Sequence, residues 1–245
     1  MVLELLEIVN GTFSIILVCV FALVGLRIMF IYRRQKQRVY LFVGFTLIGL
    51  GSPWLSSSVS FIVSFFNNDQ GLTNLPVIYF LLAMPMIALI LLIWTMGFTE
   101  ILYKESQRLF QNVSTIIVIL VETWFLLFMI LDPNGLVTLK TSPVNGNYST
   151  LILIYILFSV SYLFYTGILL ARSSIKLDNP EHKLKGYLLI MAFLLYIIGA
   201  IFDAVIDFTD LLLLLPRIVL LGAVFCFYCS FNLPKTIKKL FLKNK

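Results

Sequence analysis

Seven stretches of about twenty apolar residues, each cut off by a short polar segment, constrain this chain more than any other feature. About 20 residues of helix cross the hydrocarbon core of a bilayer. The runs cover about 11–32, 39–66, 76–99, 113–131, 150–171, 187–208 and 211–233, and a basic tail follows over 234–245. Of the 245 residues, 60% are hydrophobic and only 12% charged, against about 25% charged in an ordinary soluble domain. The runs are continuous rather than alternating, which argues against a membrane β-barrel. The expected fold is all-α, a polytopic membrane protein forming a single seven-transmembrane helix bundle over 1–245. Runs one to three do not visibly repeat in runs five to seven, so the paired halves common in transporters are not expected.

Charge placement sets the expected orientation. Fifteen of the eighteen lysines and arginines fall in the segments after runs one, three, five and seven, and only Lys140 falls in the alternate loops. Short cytoplasmic loops carry such an excess. The N-terminus is therefore expected outside, the C-terminus in the cytoplasm, and the protein in the cell membrane. The net charge of +6 sits beside apolar runs, so nucleic acid is not the expected partner. Glu4 and Glu7 precede the first run where a signal peptide would carry basic residues, so this run reads as a retained helix. Cys19, Cys226 and Cys229 lie in apolar runs and give no disulfide framework. Cys226 and Cys229 share a helical face, but no histidine accompanies them.

Within the runs, a few ionisable residues stand out, because a charge in lipid must face protein or water and find a partner. Runs six and seven are joined by a turn short enough for a hairpin. Asp203 lies roughly 9 Å from that turn along one helix and Arg217 roughly 9 Å along the other. Matched depth predicts that they pair. Asp207 lies near the surface of the same half of the membrane. That half also receives Trp54, the serines at 56, 57, 58 and 60 after Pro53, and Pro85, expected to interrupt run three. Glu122 sits near the middle of run four beside Trp124. Helix breakers and polar groups are tolerated there only where protein or a cavity satisfies them. A polar pocket opening outward is thus expected, with Glu122, Asp203, Asp207, Arg217, Ser57 and Trp54 as its candidate residues and the other helices built around it. Three readings stay open for Asp203 and Arg217: a structural clip, a pocket for a small molecule or ion, and a proton or ion path. Arg27 is expected to snorkel to the cytoplasmic face, toward Glu100.

Absences narrow the chemistry. His182 is the only histidine and lies in a loop, so neither a bis-histidine haem site nor a multi-histidine zinc site is available. The chain has no GxSxG elbow and no HExxH pair. No enzyme activity, cofactor or metal is expected. The lipid bilayer is the expected environment, and a cytoplasmic protein or a second copy of the chain is a further expected partner. The tail, KTIKKLFLK, suits a short helix on anionic lipid.

The seven-helix layout resembles that of rhodopsin-like proteins and receptors. Two departures matter. No expected helix core contains a lysine, so retinal has no attachment point. The end of run three reads WTMGFTEILYK and lacks the Asp-Arg-Tyr of animal G-protein-coupled receptors. The basic first loop (Arg33, Arg34, Lys36, Arg38), the GAIFD segment ending at Asp203 and Pro216-Arg217 are more similar to the seven-helix sensor regions of prokaryotic histidine kinases. That resemblance implies a receptor or sensor signalling through a separate partner. An ion or small-solute transporter using its intramembrane carboxylates, and a structural or assembly subunit of a membrane complex, are the alternatives.

Overall fold

The computed structural model describes residues 3–132, 135, 137–138, 144, 146–205 and 214–242. Within them the chain is helical apart from one two-residue ladder. The helices are α1 (Leu5–Gln35), α2 (Val39–Leu50), α3 (Leu55–Ser64), α4 (Pro76–Leu102), α5 (Gln107–Leu131), α6 (Thr150–Ile175), α7 (Pro180–Val205), α8 (Leu214–Phe231) and α9 (Lys235–Leu242). Seven spans are long and apolar enough to cross a membrane, with α2 and α3 together making the second. The expected helical membrane bundle is therefore what the chain forms.

Most helices outrun their apolar cores. α1 begins at Leu5, α5 at Gln107 and α7 at Pro180, each several residues before the run itself. Hydropathy marks the hydrocarbon depth, whereas a helix keeps its backbone bonds well into the polar interface. Pro85 does not interrupt α4 as expected; it lies inside a continuous helix. The break comes at Pro53, where α2 ends, a 3-10 turn covers Ser52–Trp54 and α3 resumes at Leu55. Proline has no N–H for the helical ladder. The Tyr196 hydroxyl donates to the Leu50 carbonyl oxygen at the break, at 3.2 Å.

Helix neighbours form a ring. α7 and α8 make the most extensive contact; α8 meets α1, α1 meets α2, α2 meets α4, and α4 meets α6, which returns to α7. α5 stands outside, chiefly on α4, with only Val118 and Phe125 buried. The helices are thus not all gathered around one polar spot. One apolar cluster, including Leu17, Phe21, Trp94, Phe193 and Phe227, fills the ring. A second, centred on Tyr79, Phe80, Met84 and Phe125, joins α4 to α5 and α6. Between α5 and α6, Val137 pairs with Tyr148 and Thr138 with Asn147 in an antiparallel ladder.

Small residues let the ring close. A Cβ at Gly25 would lie 2.6 Å from the Gly44 carbonyl oxygen, and one at Gly44 would lie 2.6 Å from that of Gly25. The backbones of α1 and α2 touch there, as small residues allow between membrane helices.

Candidate functional site: a buried guanidinium network

The local sequence places Arg217 one turn into α8. Pro216 precedes it in the first turn, where a missing N–H costs nothing. Arg217 is 4% exposed, so its guanidinium must find its partners inside the protein. Its Nε donates to Asp203 Oδ1 at 2.6 Å, its Nη1 to Ser14 Oγ at 2.7 Å and its Nη2 to Asn10 Oδ1 at 2.8 Å. Trp54 Nε1 donates to the other carboxylate oxygen, Asp203 Oδ2, at 2.7 Å. The guanidinium carbon also lies 5.9 Å from the centroid of the Trp54 ring, within cation–π range. Ser14 Oγ donates in turn to the Asn10 carbonyl oxygen, at 2.9 Å.

Five side chains from α1, the 3-10 turn, α7 and α8 thus share one polar network. The structure brings Asp203, Arg217 and Trp54 together. Their geometry is fixed from behind: Phe21 stacks on Trp54 with ring centroids 6.2 Å apart and planes 9° apart.

Asn10 and Ser14 were not among the expected site residues. Their signal was there to read. Both are polar, four residues apart, and lie on the buried stripe of α1 with Gly11, Leu17 and Phe21. Placing the first helix at about 11 put Asn10 outside the membrane and hid it.

Ser57 belongs to a neighbouring layer. Its hydroxyl and that of Tyr79 lie 2.9 Å apart. Tyr79 donates onward to the Val144 carbonyl oxygen, at 3.3 Å, and Val144 is fully buried. Val144, from the connection between α5 and α6, is therefore packed against Tyr79 of α4. Burial pushes the Tyr148 phenol well above the usual tyrosine range; the Tyr79 phenol and the Asp203 carboxylate add to the rise, and a hydrogen bond with Ser56 opposes it. It serves as a neutral hydrogen-bonding group at physiological pH. The Ser52 hydroxyl, at the helix break, is buried and has no partner among the described residues.

Glu122 does not join the network. It sits on α5, outside the ring, on the stripe that also carries Val118 and Phe125. Its carboxylate interacts electrostatically with the Tyr155 phenol of α6. Glu122 Oε1 and the Tyr155 hydroxyl are both buried without a hydrogen-bond partner among the described residues. The structure thus brings Asp203, Arg217 and Trp54 together and leaves Glu122 apart from them, on a helix that packs chiefly on α4. Asp207 lies outside the described residues. Arg27 also differs from expectation: its guanidinium lies 5.7 Å from the Tyr228 ring centroid, and the described ion pairs do not include one with Glu100. No cluster of three or more metal-ligating side chains occurs among the described residues.

Fold and site together define a seven-span helical membrane protein with a guanidinium–carboxylate network buried in one half of the bundle. The chain matches no protein-family model, no curated protein and no solved structure in the comparisons made.

Proposed function

We propose that this chain is a seven-helix receptor or sensor of the cell membrane, with its N-terminus outside and its C-terminus in the cytoplasm. On this reading a small molecule or ion acts at the network around Arg217, and the signal passes to a separate cytoplasmic partner. The observation that carries it is the sharing of one guanidinium among α1, α7 and α8, with Trp54 of the 3-10 turn on the same carboxylate. A ligand that took over any one of these bonds would change the packing of four elements at once. Coupling of this kind needs differential contacts with two arrangements of the helices, and a shared buried group provides them. The unpartnered Ser52 hydroxyl, two residues before Trp54, supports a site that accepts a further polar group. The same reading assigns the chain no catalytic role.

The structural clip is the competing reading, and it too has an observation. Arg217 bonds through all three of its nitrogens and Asp203 through both oxygens, so the pair already has protein partners that hold it in place. Transport is less well supported, because Glu122 does not share the Asp203 network and sits on α5, which packs chiefly on α4.

A thermal-shift screen of the full chain in lipid nanodiscs, against a panel of small charged and polar solutes, tests the proposal. A ligand at one hundred times its Kd stabilises a protein by about 2.7 kcal/mol. The sensor reading expects such a shift, and expects it to vanish in the charge-free double variant Asp203→Leu with Arg217→Met while the fold persists. A ligand shift that survives this double variant would place the site elsewhere. Proteoliposome flux abolished by Glu122→Gln would favour transport instead.

A further inference from the structure

The hairpin of α7 and α8 is held by an ion pair at each end. One is the buried Asp203–Arg217 pair. The other is Glu181–Lys238, which joins the first turn of α7 to α9. The second pair is of a different kind: its side chains are 40% and 48% exposed. An exposed pair is a weak hold, screened by salt and opposed by side-chain entropy.

α9 itself is built for two environments. Lys235, Lys238 and Lys239 lie on one face, by their spacing of three and four; Ile237, Leu240 and Phe241 lie on the opposite face. Leu240 is 73% exposed and Phe241 61%, so protein does not cover the apolar face. Only residues 232–234 separate α9 from the end of α8. A helix so tethered starts where the bilayer's hydrocarbon ends. A short amphipathic helix there buries its apolar face at the acyl boundary and gains further from anionic headgroups. Each lysine near an anionic leaflet gains about as much as an exposed ion pair does. The last turns of α1 and α6 supply Arg33, Arg34 and Arg172 at the same end of the bundle, which raises the local anion concentration further.

We infer that α9 is a lipid-responsive latch: anionic phospholipid headgroups take Lys235, Lys238 and Lys239, Lys238 leaves Glu181, and Ile237, Leu240 and Phe241 settle into the acyl boundary. Zwitterionic lipid carries no net charge to offer and leaves the Glu181–Lys238 pair closed. The inference is independent of the ligand reading for the Arg217 network, because it concerns the opposite end of the α7–α8 seam.

The test uses the full chain with Cys19→Ser and spin labels at Asp178→Cys and Thr236→Cys, both outside the latch contacts. The protein is placed in nanodiscs of phosphatidylcholine alone and of phosphatidylcholine with phosphatidylglycerol. The distance between the labels should lengthen by several ångström when phosphatidylglycerol is present. Glu181→Gln should show the longer distance in phosphatidylcholine alone. The triple variant with Gln at positions 235, 238 and 239 should show no response to phosphatidylglycerol. An unchanged distance in phosphatidylglycerol, or a response that survives the triple variant, would overturn the latch. Inorganic phosphate added to phosphatidylcholine discs should leave the distance unchanged; a lengthening there would show that any phosphate opens it and that the membrane does not. These substitutions lie on the exposed surface, and unchanged gel-filtration profiles would show that each variant keeps its fold.

Discussion

Asp203 and Arg217 each leave a buried, unpaired charge when the other is removed, which typically costs about 3–5 kcal/mol. An apolar replacement of both removes the two charges together and is often near neutral. Asp203→Asn and Arg217→Gln should therefore each lower the thermal stability more than Asp203→Leu with Arg217→Met. Melting curves of the three variants in one lipid composition check this; a double variant less stable than both singles would refute the pairing energetics. Two of the unpartnered groups lead the other way. The Ser52 hydroxyl is buried without a bond, and such a group carries a desolvation penalty of about 1–3 kcal/mol. Ser52→Ala should leave stability unchanged or raise it. Glu122→Leu should do the same, since α5 offers its carboxylate no cation among the described residues. A clear loss in either variant would show a partner that these contacts do not contain.

At the scale of elements, helix contacts decide which substitutions the bundle accepts. Gly25 and Gly44 face each other backbone to backbone, and a carbonyl oxygen cannot turn aside as a flexible side chain can. Gly44→Val should therefore destabilise the α1–α2 contact, by at least the about 1–3 kcal/mol usual for overpacking. At Gly222 a Cβ would meet nothing closer than Leu195 Cδ1 at 3.7 Å, so Gly222→Ala should be tolerated. Unfolding in a denaturing detergent, followed by far-ultraviolet circular dichroism, separates the two. The break between α2 and α3 has a similar logic. Tyr196→Phe removes the hydroxyl that bonds the Leu50 carbonyl and should cost about 1 kcal/mol, as one lost intramolecular hydrogen bond does.

Over the whole molecule, orientation is the property that the packing leaves open, because the bundle is the same whichever way it is inserted. The excess of lysine and arginine after spans one, three, five and seven predicts an N-terminus outside and a C-terminus in the cytoplasm. In a background with Cys19→Ser, a cysteine at Gln70 or Gly135 should react with a membrane-impermeant maleimide added outside cells. One at Arg34 or Lys238 should react only after permeabilisation. Labelling at position 238 from outside would reverse the topology and would turn the Arg217 network toward the cytoplasm.

The sequence by itself determined the number of spans, the helical class and the depth of the buried charges. These follow from local quantities: run length against bilayer thickness, residue rise along a helix, and the cost of a charge in lipid. Matched depth brought Asp203 and Arg217 to the same level, whereas only the structure showed that the helix breaks at Pro53 and runs on through Pro85. Tertiary structure alone decided which groups meet across helices. Asn10 and Ser14 reach the guanidinium only because α1 packs on α8. Trp54 reaches Asp203 because the 3-10 turn swings it there. Glu122, at a depth that hydropathy reads as central, ends outside the ring because α5 packs chiefly on α4. Depth is a property of one helix and can be read along the chain. Facing is a property of two helices and depends on which neighbours each ridge and small-residue groove selects.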